Sequence, residues 1–340
     1  MRQLFRPNAF SRRTPQFSAA NEAETQSIHR LLHEAYPRIA ATDILRVGAF
    51  ELNSQNWRIH SARGDFILKC VEAARHTALA AQASVCHELQ QGGLAVPEFE
   101  PDRFGNLVAQ HEGRAFCVTH FVSGEYFGAD RAQWHELLIL CASLMKRCAL
   151  LEPAATLPHM VFFSPDDVQT VNTLQGGAEI RGLDREGKEL IFELFQMAHS
   201  HYQGQSNQSG RGIFHVDIHP HNLICSGAEV ALLTDFESFR VTDPFHSLGF
   251  GLFKCLRELL FDCSEPMPAL LGKLKEDCAR VFPAHTLRSL IEAARADLLR
   301  RALSITRELI RSGQARWEFM LETQLTGLAE TQHLCAILST

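Results

Sequence analysis

Apolar and polar positions follow two different rhythms along the chain, and the change falls near residue 123. Ahead of it, Ile28, Leu31, Leu32 and Ala35 recur at helical spacing and predict a helix over 22–35. Three short runs rich in β-formers follow, at 44–51, 56–61 and 66–71, with Arg63-Gly64-Asp65 as a tight turn between the last two. The pattern then predicts a helix over 73–91 stopped by Gly92-Gly93, and two more strands, 107–110 and 115–121, joined through Glu112-Gly113. Beyond Ser123-Gly124 the period is helical. Trp134, Leu137, Leu138, Cys141, Leu144, Met145 and Cys148 form one broad stripe over 130–150. Further helices are predicted over 185–202, 246–261, 268–281, 285–312 and 315–337. The expectation is an α+β chain of two lobes, a small β-rich one over 21–121 and a larger, mainly helical one over 122–340.

Composition narrows the class. With 340 residues, 46% of them hydrophobic and 21% charged, the chain suits a soluble globular protein with more than one core. A net charge of −6 argues against a sequence-independent grip on nucleic acid, and no run reaches the roughly 18 apolar residues of a membrane span. The ten cysteines are scattered without a Cys-x-x-Cys pair, so neither a zinc knuckle nor a disulfide framework is expected, and the compartment reads as reducing and cytoplasmic. Residues 1–20 carry Arg2, Arg6, Arg12 and Arg13 with no acid and read as a flexible basic tail. Nothing in the sequence fixes an oligomeric state.

The chemistry concentrates in residues 213–237, IFHVDIHPHNLICSGAEVALLTDFE. Leu223 to Cys225 and Val230 to Leu233 are apolar runs joined at Ser226-Gly227, which predicts a β-hairpin. Asn222 stands just before its first strand and Asp235 just after its second, so the hairpin brings these two side chains together, with Asp217 in the loop that leads in. A carboxylate with an amide oxygen suits Mg²⁺, a hard cation that takes few protein ligands. A separate aspartate can accept a hydroxyl proton and orient the oxygen for in-line attack, which is a phosphoryl-transfer arrangement. A cation for the phosphates is also needed. Lys69, ending the apolar strand Phe66-Ile67-Leu68, is the candidate, and Glu88 on the following helix is the candidate to hold its rotamer.

These residues give the chain a resemblance to the aminoglycoside phosphotransferase and choline kinase family, small-molecule kinases with a protein-kinase-like fold. It rests on His215-Val216-Asp217-Ile218-His219-Pro220-His221-Asn222, which resembles the family's His-x-Asp-x-His-x-x-Asn, and on Asp235-Phe236-Glu237 at a hairpin-length gap. The resemblance implies ATP, or GTP, as donor and Mg²⁺ as cofactor. It implies Asp217 as catalytic base, His215 as support for its loop, and Asn222 and Asp235 as metal ligands. Lys69 would hold the α and β phosphates, with Glu88 as its partner. Cys117, Val118 and Thr119 would lie in the linker whose backbone meets the adenine, and Glu237 would touch a second metal or the acceptor. The acceptor would be a hydroxyl-bearing small molecule of the aminoglycoside, amino alcohol, homoserine or sugar class. Two positions depart from the family pattern: Val216 replaces a glycine, and His246-Ser247 stand where an acid is usual.

Other readings compete. His215, Asp217, His219 and His221 place four possible ligands within seven residues, as a metal-dependent hydrolase would. That reading leaves Asn222, Asp235 and Lys69 unexplained. A catalytically impaired kinase-fold binding protein would account for Val216 and His246, but not for the survival of Asp217, Asn222, Asp235 and Lys69 together. A protein kinase would need an Ala-Pro-Glu anchor, which is absent after Asp235.

Overall fold

The computed structural model describes residues 14–48, 55–128, 130–203, 211–262, 265–314 and 316–339. Most of the expected basic tail and the end of the strand expected over 44–51 lie outside the described residues. Contacts group the chain into two units, one running to Pro158 and including His219–Arg240, the other comprising His159–Ile218 and the chain from Val241 onward.

The first unit is built on an antiparallel sheet. Its strands are β1 (Phe17–Ala19), β2 (Ala41–Val47), β3 (Gln55–Ser61), β4 (Gly64–Glu72), β5 (Phe99–Glu100), β6 (Ala109–His111) and β7 (Arg114–His120), in the order β1-β2-β3-β4-β7-β5 with β6 also on β7. Phe17 to Ala19 therefore belong to an edge strand on β2 and not to a tail. Strand alternation gives the sheet two faces. Ile44, Trp57, Ile59, Phe66, Leu68, Phe116 and Val118 form one core with Ile28, Leu31 and Leu32 of α1 (Glu22–Ala35). That helix starts where Asn21 and Glu24 make a reciprocal capping box. Ile67, Lys69, Cys117 and Thr119 face the other way.

The boundary expected at residue 121 falls instead at Pro158, because tertiary pairing keeps the later segments in this unit. β8 (Glu125–Tyr126) pairs with β10 (Leu223–Ser226), and α3 (Arg131–Cys148) packs on β11 (Glu229–Leu233), the other strand of the hairpin. Leu233 N–H donates to the Ala95 carbonyl at 2.7 Å.

The second unit is helical: α4 (Pro165–Gln175), α5 (Arg185–Gln203), α6 (Pro244–Asp262), α7 (Met267–Val281), α8 (Leu287–Ser312) and α9 (Arg316–Ile337), with the short strand β9 (Gly212–His215). Helix α8 is its axis and packs against the other five. It runs 26 residues from a Thr286–Ser289 capping box to Gly313, which ends it in the left-handed conformation at φ 62°. Gly249 sets the approach of α6: a side chain there would collide with the backbone of α8 at Leu290 and Ala294. Among the described residues no helix is long and apolar enough to cross a membrane. The nine described cysteines are all buried and unbridged.

Candidate active site

The hairpin places its polar ends as its apolar strands dictate. Leu223 registers with Leu233, and Thr234 N–H donates to the Asn222 carbonyl at 2.8 Å, so Asn222 and Asp235 leave the hairpin side by side. Asp235 then takes a left-handed backbone, φ 57° and ψ 47°, which an aspartate tolerates better than most residues and which recurs at functional positions. Its Oδ2 accepts from the Ser238 hydroxyl at 2.7 Å.

Lys69 reaches this turn from β4. Its side chain is only 9% exposed, and its Nζ lies 3.1 Å from Asp235 Oδ1 and 3.4 Å from Glu237 Oε2. Arg75 adds a second cation 3.7 Å from Glu237 Oε2. A buried ammonium needs such partners, since an unpaired one would neutralise instead. The expected partner, Glu88, is exposed on α2 (His76–Gln91). It is misplaced by helical phase: the buried face of α2 runs through Leu79, Gln82, Val85, Cys86 and Leu89. The residue of α2 that meets the turn is Gln82, whose Nε2 donates to the carbonyls of Glu237 at 2.5 Å and Phe239 at 3.1 Å.

A cavity of about 180 Å³ opens beside these groups. Its polar lining includes Asn56, Lys69, Asn222, Thr234 and Asp235, and its apolar lining includes Val47 and Ile67 of the sheet and Ile224 and Leu232 of the hairpin. Cys117 and Thr119 contribute side chains to it. Burial pushes the Cys117 thiol up to about 12, with Lys69 opposing and Glu237 reinforcing, so this cysteine is a neutral wall. The expected linker over 116–120 is instead the body of β7, paired with β4 along its length. β5 takes the other edge of Val118 and Thr119, and Val118 turns its side chain to the opposite core. The chain leaves the sheet at Phe121, whose ring also lines the cavity. Pro15 and Phe17, from the segment read as tail, line it too.

In the helical unit, Asp217 follows the fully buried His215, and its N–H donates to His215 Nδ1 at 3.3 Å, so the imidazole braces the loop backbone. Val216 keeps a negative φ, so this β-branched residue needs no left-handed backbone. His246 Nδ1 pairs with Asp243 at 2.9 Å. Sequence reading missed Arg301 of α8, which donates to Asp217 Oδ1 at 3.1 Å. Its signal was available, since Arg300 and Arg301 follow Asp297 at three- and four-residue spacing on a helix that is otherwise apolar there.

Among the described residues no three His, Cys, Asp or Glu side chains are grouped to hold a metal ion. Asn222 and Asp235 offer an amide and a carboxylate oxygen, the hard donors that Mg²⁺ accepts in small number, so the residues fit that ion.

A model of the phosphotransferase enzyme family matches residues 45–262, well over half of the chain. The chain belongs to this family. Lys69, Asp217, Asn222 and Asp235 of this phosphotransferase all fall inside the match. No curated protein matches the sequence. Solved structures do match in fold. A spectinomycin phosphotransferase in complex with ADP and spectinomycin is 12% identical with a TM-score of 0.64, covering 90% of this chain and 93% of its own. A microcompartment-associated aminopropanol kinase is 14% identical at a TM-score of 0.61, over 89% of this chain and 95% of its own. The choline kinase LicA from Streptococcus pneumoniae is 11% identical at 0.59, over 91% and 100%. The phosphotransferase thus has the kinase-like α+β fold, an antiparallel-sheet unit and a helical unit.

Proposed function

We propose that this protein is an ATP- and Mg²⁺-dependent small-molecule kinase, moving the γ-phosphoryl group of ATP to a hydroxyl of its acceptor. The observation that carries the reading is the meeting of Lys69 with Asp235, 166 positions apart in the chain, beside Asn222 in one cavity. A lone buried lysine, or a lone pair of oxygen donors, would be ordinary; their convergence supplies a cation for phosphates and a seat for a hard metal in the same place.

Lys69 holds the α and β phosphates, kept in its rotamer by Glu237 in the part first expected of Glu88. Asn222 and Asp235 hold the metal, which when bound neutralises charge on the phosphates. The side chains of Cys117 and Thr119, with Val47, Ile67, Ile224 and Leu232, wall the slot for the base. Asp217 orients the acceptor hydroxyl. As the acceptor oxygen bonds to the γ-phosphorus, the bond from phosphorus to the β–γ bridging oxygen breaks, ADP leaves with that electron pair, and the hydroxyl proton passes to the Asp217 carboxylate. Positioning and charge neutralisation supply most of the rate. The acceptor is a hydroxylated small molecule, the class to which the spectinomycin, aminopropanol and choline of the neighbouring structures belong.

The test is Mg-ATP consumption against a panel of amino alcohols, sugars and aminocyclitol antibiotics, with Asp217→Asn alongside. Turnover with one acceptor should fall on the order of 1000-fold in the variant while Mg-ADP affinity is kept. A variant retaining a tenth of the activity would remove Asp217 from its role.

A further inference from the structure

Arg301 lies beyond the residues that match the family, and every nitrogen of its guanidinium has a fixed task. Nη1 donates to Asp217 Oδ1 at 3.1 Å, and Nη2 to the Val216 carbonyl at 2.6 Å. Nε donates to Asp297 Oδ2 at 2.8 Å, and the guanidinium carbon sits 3.8 Å from the centre of the Phe250 ring on α6. Asp297 is fully buried and takes a second bond from Arg300 Nε at 2.7 Å. Burial alone would raise its pKa, but Arg300 and Arg301 outweigh that and hold the carboxyl below its usual range. Arg301 is therefore pinned from behind by an ionised carboxylate and from the side by an aromatic face.

The forward side of this fork touches two consecutive residues of the loop, one through backbone and one through side chain. An arginine can do both at once; a lysine, with a point charge and no planar fork, cannot. At the start of α6, His246 is engaged with Asp243, which caps the helix through Phe245 N–H at 2.9 Å. The loop is thus held from α8 as well as by His215.

Resting on the phosphotransferase reading, we propose that Arg301 is the positioning residue for Asp217, fixing the plane of its carboxylate through Oδ1 and the height of its loop through the Val216 carbonyl. Asp217 then works chiefly by orienting the acceptor oxygen, with the proton moving late, which a loose phosphoryl-transfer transition state tolerates. Lys254 of α6 is close enough to Asp217 for their charges to act on each other, and Arg257, Arg301 and Glu330 face the same lysine.

The experiment uses the full chain and basal Mg-ATP hydrolysis, in which water takes the acceptor's place, together with hydrogen exchange of the 213–217 amides. Arg301→Met alone would strand buried charge on Asp297, so it is paired with Asp297→Asn. Arg301→Lys serves as the second variant. The double variant should hydrolyse about 100-fold more slowly, the cost of a misplaced catalytic group, with faster exchange over 213–217 and unchanged Mg-ADP affinity. Arg301→Lys should fall between it and the wild type. Wild-type hydrolysis and exchange in either, with Asp217→Asn inactive, would overturn the role of Arg301. A fully active Asp217→Asn would overturn the earlier assignment of Asp217 instead.

Discussion

Lys69 Nζ stands 3.1 Å from Asp235 Oδ1, and the same ammonium is 3.4 Å from Glu237 Oε2. One cation thus keeps two carboxylates of a single turn from repelling each other. Lys69→Met would remove the charge that Asp235 and Glu237 share, leaving Arg75 beside Glu237. It is expected to lower unfolding stability by about 3 kcal/mol and to weaken Mg-ADP binding at least tenfold on the general cost of breaking such pairs. Calorimetric titration and denaturant melts read the two effects separately, and unchanged affinity would take Lys69 out of the phosphate site.

Gln82 and Glu88 make a paired prediction. Gln82 is 2% exposed and donates to two backbone carbonyls that Arg240 Nη1 also reaches, so Gln82→Ala should cost about 1 kcal/mol, the net worth of the bonds lost while Arg240 still serves both acceptors. Glu88→Ala, on the exposed side of the same helix, should stay within about 0.5 kcal/mol and leave nucleotide affinity alone. Reversal of that order in urea melts would restore Glu88 as the partner of Lys69.

Phe17 leads to a third. Arg58 lies against both the Phe17 and Phe121 rings, 5.1 Å and 4.0 Å from their centres, which themselves meet edge-on at 6.1 Å, and it is tied to Asp65. Since Pro15, Phe17 and Phe121 line the cavity, Phe17→Ala should weaken Mg-ADP binding several-fold with little loss of stability. An affinity equal to wild type would show that the edge strand is only scaffold.

Lys254 gives a dependence on pH. It is buried, and its pKa is lowered from 10.5 to about 8, by burial first and then by Arg257 and Arg301, against the pull of Asp217 and Glu330. Between these values the unfolded chain holds a proton that the folded one has shed, so this lysine makes stability rise with pH from about 8 to 10.5. Below 8 its full cost is present. Lys254→Met should therefore be the more stable protein at pH 7, with its advantage shrinking toward pH 10. The buried thiols act oppositely: Cys117, Cys141, Cys148 and Cys278 are pushed up to about 12 by burial, and their contribution is lost as pH rises past the ordinary thiol range. They are common to both proteins, so the difference between the two melting curves isolates the lysine.

What could be read from sequence follows from how local its cause is. Helix α1 was legible because the Ile28–Leu31–Leu32 face lies within it and its cap, Asn21, adjoins it. The hairpin and its flanking Asn222 and Asp235 were legible because apolar runs around Ser226-Gly227 fix their own register. Two-residue strands such as Phe99–Glu100 and Glu125–Tyr126 were not, since pairing with distant β7 and β10 is all that makes them strands. Glu88 was chosen by type and neighbourhood, where helical phase decides. The spacing of Arg301 from Asp297 marks it as a paired helix residue, but its contact with Asp217, 84 positions away, has no local signal.

The division of the chain has a practical corollary. Residues 219–240 complete the unit that begins at the amino-terminal end, so a fragment stopped at Pro158 would be missing its own hairpin and both proposed metal ligands. Neither half of this protein is a continuous stretch of gene. Truncating the chain at Pro158 should give insoluble products, whereas grafting 219–240 behind residue 158 through a short linker would offer a sheet unit that keeps its own floor.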